Sequence, residues 1–307
     1  MKRLRAELLL VAVTIIWGTT FVVVKAALTE VSPLLFLLLR FVLAAGILGA
    51  LFGKSVHRKG IAAGCLAGAL LFAAYVFQTA GLQLTTPSKS AFLTSLSVPL
   101  VPLASSFVYR VRPRPLEAVG IAVATLGMVL MTAPPGRWEI DRGDWLSFLC
   151  AVVFALHIVV VGHFAPIVGF QSLAVVQTAV AALLSALFCG TAGVFGEPLR
   201  FRLTAQVAGA VLLTGLLATA LAFTVQAWAQ QYTSATRAAL IFSLEPVVAW
   251  VTSWLVAGET LASRGKVGAG FILGGILLVE LKRSKPERHQ LIGAEIPPRD
   301  SRRVDKE

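Results

Sequence analysis

Long apolar runs dominate the chain, each closed by a short polar or turn-rich interval. Ten are marked by the pattern: 8–28, 33–52, 61–82, 87–109, 115–133, 143–163, 169–193, 205–229, 234–257 and 265–282. They approach the ~20 residues needed to cross a hydrocarbon core of ~30 Å. The runs are continuous, unlike the alternating segments of ~10 residues that build a transmembrane β-barrel. The pattern therefore predicts an all-α polytopic membrane protein with ten transmembrane helices. An even number puts both termini on one side. No connection is long enough to form a domain, and the longest, near 134–142 and 194–204, are turn-rich, as at Pro134-Pro135-Gly136.

Polar and bulky positions recur in order along the two halves. At an offset of 137, Trp17 meets Phe154, Val22-Val23-Val24 meets Val159-Val160-Val161, Val31 meets Val168 and Arg40 meets Gln177. At an offset of 148, Gln78 meets Gln226, Lys89 meets Arg237, Gly120 meets Gly268 and Gly127 meets Gly275. This predicts two five-helix repeats, 1–135 and 136–282, followed by a charged tail, 283–307, read as disordered and cytoplasmic. Five is odd, so the second copy enters the membrane from the opposite face. Inverted repeats of that kind suit alternating access around a site near the midplane.

Composition agrees with the pattern. Of 307 residues, 57% are hydrophobic and only 14% charged, against about a quarter charged in soluble domains. The net charge of +12 is no sign of a nucleic-acid partner, because the basic residues gather at ends and loops. Lys2, Arg3 and Arg5, then Lys54, Arg58 and Lys59, then Arg110, Arg112 and Arg114, and finally Lys282, Arg283, Lys285 and Arg288 fall on one side. The positive-inside rule makes that side, and both termini, cytoplasmic. The bias weakens in the second half, where Arg137, Arg142, Arg200, Arg202 and Arg264 lie on outer connections. The basic start resembles a signal peptide, but its apolar run is too long for one and reads as a retained helix. Cys65, Cys150 and Cys189 sit singly in apolar runs, where cysteine acts as a small buried hydrophobe. No metal, disulfide framework or cofactor is expected.

Several residues together carry a resemblance. In the first helix pair they are Trp17-Gly18, Phe21, Lys25, Pro33 and Arg40-Phe41; the fourth helix adds S-K-S-A-F-L-T-S-L-S-V-P-L-V-P-L at 88–103. The second copy adds L-E-P-V-V-A-W at 244–250, Gly258-Glu259 and a Gly-rich last helix. Over about residues 8–282 the chain resembles the EamA family of the drug/metabolite transporter superfamily. The resemblance implies two inverted five-helix repeats in a bacterial-type inner (plasma) membrane. It also implies a secondary transporter, an exporter of small organic metabolites such as amino acids or related solutes. The second copy departs from the first, with Gly162 and Gln177 where the first carries Lys25 and Arg40.

Glu245 is the one acidic residue well inside an apolar run, ~16 Å of helix rise from its start, and Pro246 beside it can break the helix and free carbonyls. A mid-membrane carboxylate is a functional candidate by default: a proton acceptor, a countercharge to a cation, or a structural partner of Arg40. Arg40 lies ~10 Å deep in the second helix. It either holds a substrate carboxylate or pins neighbouring helices. Lys25, nearer the outer surface, is a gate, a brace or a snorkelling cation. His157 titrates in the physiological range or packs by hydrogen bonding. Trp17, Tyr75, Gln78, Thr94, Ser95, Gln226, Trp228 and Trp250 are candidate cavity walls and polar handles. Gly64, Gly68, Gly120, Gly127, Gly268, Gly270, Gly274 and Gly275 are expected to let helices approach closely. Motifs of an intramembrane enzyme or a nucleotide-driven pump are missing from the sequence, and rings of charge that mark a channel are missing too. The partners expected are a small-molecule solute, the lipid bilayer and, as a candidate coupling ion, protons.

Overall fold

A computed structural model describes residues 1–109, 115–132, 141–192, 199–258 and 263–281. These are helical, and the single β contact among them is a bridge between Val31 and Phe201. The basic cluster 110–114, Trp138, Glu259 and the tail 283–307 lie outside the described residues.

The first helix, α1 (Lys2–Ala27), buries one stripe through Leu10, Val13, Thr14, Gly18, Phe21 and Val24, the 3–4 spacing of a helix face. A tight turn leads to α2 (Pro33–Phe52), which starts on a proline, where the missing N–H costs nothing. The Ser32 amide donates to the Arg200 carbonyl at 2.9 Å, and the Arg202 amide to the Glu30 carbonyl at 3.0 Å. The turn joining this first pair is thereby tied to the chain ahead of α9. The third helix, α3 (Arg58–Leu84), runs between α7 (Arg142–Val168) and α8 (Phe170–Ala192). Gly64 and Gly68 face Val176, Val180 and the Gln177 carbonyl of α8 so closely that a Cβ would collide, which bears out their expected packing role.

Three of the apolar runs are not continuous α-helix. Run 87–109 divides into α4 (Pro87–Ser95) and α5 (Ser97–Tyr109). Run 234–257 divides into α11 (Ala235–Phe242) and α12 (Glu245–Ala257). Run 205–229 becomes α9 (Ala205–Leu212), a π-helical stretch Leu213–Leu221, and α10 (Ala222–Ala229). The remaining helices, α6 (Pro115–Thr132) and α13 (Ser263–Leu281), pack on each other. Cβ atoms at Gly127 and Gly275 would strike the backbone of Gly268 and Gly120 there, whereas Gly270 and Gly274 face open space. Those two glycines therefore do not serve close approach.

Among the described residues, eight helical stretches are long and apolar enough to cross a membrane. Of the other two predicted segments, α6 contributes the shorter apolar stretch Ala118–Gly127. Helix α1 sits at the centre of the arrangement, against α4, α10, α11 and α12. Cys150 and Cys189 are buried as expected; Cys65 is exposed.

Candidate functional site

The two helix breaks position the site. At the first, α4 stops at Ser95, the Leu96 amide turns back to the Leu93 carbonyl at 3.2 Å, and α5 starts at Ser97. At the second, Ser243 Oγ donates to the Leu240 carbonyl at 2.6 Å, the Leu244 amide reaches the Ile241 carbonyl at 3.1 Å, and α12 starts at Glu245. Pro99 and Pro246 lack the N–H that would continue the ladder. Both half-helices upstream carry the same N-terminal cap. Thr86 accepts from the Lys89 amide and Ser234 from the Arg237 amide, each at 3.3 Å, the local bond that hydroxyl residues supply at helix starts. The caps and the break residues correspond at the offset of 148, Thr86 with Ser234, Leu96 with Leu244 and Ser97 with Glu245, while the prolines stand one position out of register.

Between the breaks lies a cavity lined by Trp17, Thr20, Phe21, Tyr75, Gln78, Thr94, Ser97, Phe154, Ile158, Gln226, Phe242 and Glu245. Ten of these residues form five pairs at the repeat offsets. Trp17 with Phe154 and Phe21 with Ile158 are separated by 137, while Gln78 with Gln226, Thr94 with Phe242 and Ser97 with Glu245 are separated by 148. Thr20 and Tyr75 complete the lining. Trp17 and Phe154 match in shape and Gln78 matches Gln226 as an amide, whereas Phe242 stands where the first half has Thr94 and the charged Glu245 where it has Ser97.

Glu245 stands in the first turn of α12, where the helix dipole favours negative charge. Its carboxylate makes no hydrogen bond or ion pair to any described residue. The expected alternative of a bond to Arg40 is not what forms. Arg40 is 3% exposed and off the cavity lining. Its Nε donates to Thr219 Oγ1 at 2.5 Å, and one terminal nitrogen donates to Tyr75 Oη at 2.8 Å and the Ala218 carbonyl at 3.3 Å. The guanidinium stacks 4.1 Å from the Tyr75 ring centroid. Thr219 and Ala218 both lie on the π-helical stretch Leu213–Leu221, a departure from the ordinary ladder of the kind often found at functional sites. Ala218 also accepts Trp17 Nε1 at 2.8 Å. Arg40 thus braces α2, α3 and the π stretch from behind the Tyr75 wall.

Lys25 is a brace as well. Its Nζ donates to the carbonyls of Leu82, Gln83 and Thr85 at 2.9, 3.0 and 2.9 Å, holding the end of α3 against α1. The second copy reverses the bond. Gln230 and Gln231, which correspond to Leu82 and Gln83, donate to the Ile158 and Ala165 carbonyls at 2.9 and 2.8 Å.

Four further candidates are not on the cavity. Ser95 turns its hydroxyl to the Ala91 carbonyl at 2.8 Å; Ser97, beyond the break, lines the cavity instead. His157 is fully buried and pairs through Nε2 with Gln177 at 3.0 Å. Trp250 packs beside Phe92, Val98 and Ile272. Trp228 rests against Tyr232 and under Arg5, near the N-terminal end of α1. Trp17, Tyr75, Gln78, Thr94, Gln226 and Glu245 do meet at the cavity. Thr20, Phe21, Ser97, Phe154, Ile158 and Phe242 were not singled out as its walls from the sequence, although the offsets lead from Trp17 to Phe154 and from Glu245 back to Ser97.

The ends of the molecule repeat the same logic. Glu7 Oε1 accepts from Arg3 at 2.7 Å and lies 3.7 Å from an Arg237 nitrogen, joining α1 to α11. Asp144 Oδ2 holds Lys89 Nζ at 2.6 Å, joining α7 to α4. Glu7 and Asp144 are 137 apart, and Lys89 and Arg237 are 148 apart. The first pair sits at the start of α1. The second sits by the end of α3 that Lys25 grips, ~27 Å of rise away along α1.

A bundle of membrane-crossing helices folded around a part-polar central cavity defines a multi-pass membrane protein of the transporter class. The EamA-like transporter family model matches at residues 4–133 and again at 141–281, and the chain belongs to that family. An "Uncharacterized transporter" of Archaeoglobus fulgidus is 34% identical over 281 residues, covering 92% of this chain and 87% of that protein. The "Uncharacterized inner membrane transporter YedA" of Escherichia coli K12 is 26% identical over 278 residues, 89% of each. A crystal structure of a protein at 20% identity superposes with a TM-score of 0.71, over 90% of this chain and 97% of that one, so the fold is shared.

Proposed function

We propose that the protein is a secondary transporter that exports small organic metabolites, amino acids or related solutes among them, by alternating access through the central cavity. The proposed architecture is ten transmembrane helices in two inverted five-helix repeats, 1–135 and 136–282, with both termini and the tail cytoplasmic. The observation that carries the reading is the lining itself: five repeat-related pairs converge on one cavity. Inverted repeats that share a central site give a structure two equivalent ways to open. The two family-model matches, 4–133 and 141–281, support the division. The direction of export rests on the family resemblance and the sidedness on the basic residues.

The ion pairs fit as end closures. On this reading Glu7–Arg237 fastens the cytoplasmic end and Asp144–Lys89 the outer end. Each links a first-in-repeat helix to the broken helix of the other copy, and only one need release at a time. Charges removed from water in this way depend on their partner, so each closure is a discrete contact.

The test is solute movement by purified protein in proteoliposomes of known sidedness, with and without a pH gradient. The expected result is saturable flux of at least one organic solute class, stimulated by an opposing gradient of the same solute. Folded protein that moves no member of a broad metabolite set under any gradient contradicts the proposal.

A further inference from the structure

We infer that the cavity recognises an organic cation, a protonated or quaternary nitrogen on an apolar body, and that the carboxylate of a solute is not what it recognises. This rests on the transporter reading and names its substrate class.

The argument begins with charge. Among the described residues, Glu245 is the single carboxylate on the lining, and no arginine, lysine or histidine lines the cavity. A carboxylate removed from bulk water with no protein partner is costly unless something neutralises it, and a solute cation does so directly. The two membrane cations that a carboxylate solute would need are committed elsewhere. Lys25 spends three donors on three backbone carbonyls, and an ammonium has three donors in all. Arg40 is sealed behind Tyr75, its bonds given to Thr219, Tyr75 and Ala218.

The neutral walls point the same way. Trp17, Phe21, Tyr75, Phe154 and Phe242 surround the carboxylate, and the faces of aromatic rings attract cations while their area buries an apolar body. Gln226 adds an acceptor: its Nε2 is given to Gln230 at 3.2 Å, and its Oε1 has no partner among the described residues. The repeat comparison supplies an independent argument. At every other lining pair both copies are uncharged, so the serine-to-glutamate difference between Ser97 and Glu245 is the one place where a charge has been added to an otherwise neutral symmetric cavity. One feature opposes the inference, the start of α5 at Ser97, whose dipole favours an anion; the start of α12 already has Glu245.

Four ligands that share a phenethyl body separate these terms: phenethylamine, phenylalanine, 3-phenylpropionate and 2-phenylethanol. Binding to the purified full-length protein is measured by ligand-dependent shifts in thermal unfolding. The expected result is that phenethylamine binds at least tenfold more tightly than the other three. In Glu245→Gln that preference is lost while the affinity for 2-phenylethanol stays within threefold. Equal or tighter binding of 3-phenylpropionate or phenylalanine to the unmodified protein overturns the inference, and that comparison needs no variant. Undiminished phenethylamine binding in Glu245→Gln overturns it too. Flux in proteoliposomes separates the two readings. Preferential movement of 3-phenylpropionate refutes the substrate class and leaves a transporter. Phenethylamine that is bound through Glu245 but never moved refutes the transporter and leaves the class.

Discussion

Arg40 and Glu245 both interrupt apolar sequence at membrane depth, and the protein treats them in opposite ways. Arg40 is committed to the protein: three hydrogen bonds, to Thr219, Tyr75 and Ala218, and a ring stacked at 4.1 Å hold it behind the Tyr75 wall. Lysine keeps the charge but has neither the fork nor the planar face. Arg40→Lys is therefore expected to lower stability by about 1–3 kcal/mol, the scale of lost hydrogen bonds to a charged group. Glu245→Gln, which removes no protein contact among the described residues, is expected to leave stability within about 0.5 kcal/mol while impairing flux. Thermal unfolding of the two variants checks this, and the reverse ordering contradicts it. Depth in the membrane is legible in the sequence for both residues. Their partners are not, because the acceptors of Arg40 lie 178 and 179 residues away on a π turn that apolar periodicity does not reveal.

At the scale of elements, the repeated device is a half-helix capped by a hydroxyl, broken before a proline and fastened by an ion pair. Pro246 signals the second break in the sequence. The first was easier to miss, since run 87–109 stays apolar through Leu96 and two prolines follow the break. The interruption at Leu96 separates Ser95, which bonds along its own helix, from Ser97, which lines the cavity. Glu7 and Asp144 escaped notice for a different reason: each stands near the polar end of a run, where charge is ordinary, and only the fold brings it to Arg237 or Lys89. If these pairs are end closures, Glu7→Gln shifts reactivity of a cavity cysteine toward the proposed cytoplasmic face, and Asp144→Asn shifts it toward the outer face. Double-mutant cycles are expected to give coupling of about 0.5–3 kcal/mol within each pair and additivity between pairs. Shifts toward the same face from both variants contradict the assignment.

For the whole molecule, the order of polar and bulky matches along the chain pairs positions at two offsets, and five such pairs line one cavity. The sequence led to Gln78 and Gln226 as amides in corresponding places; in the fold they face one cavity, with Trp17 and Phe154 beside them. Helices α6 and α13 meet through Gly120, Gly127, Gly268 and Gly275, two pairs at the offset of 148. Membership of the EamA-like family could be read from residues scattered over the chain, whereas the substrate could not. Its identity depends on which cations are already bonded, and bonding is a property of the fold. The central claim is that the lining belongs to one site that opens to either side. It is tested most directly by placing a cysteine at Gln78 or at Gln226 in a protein whose three native cysteines have been replaced, and applying a membrane-impermeant thiol reagent to one face at a time. The account predicts that both positions react from both faces, and that saturating solute protects each of them. Reaction of either position from a single face only, unchanged by solute, contradicts it.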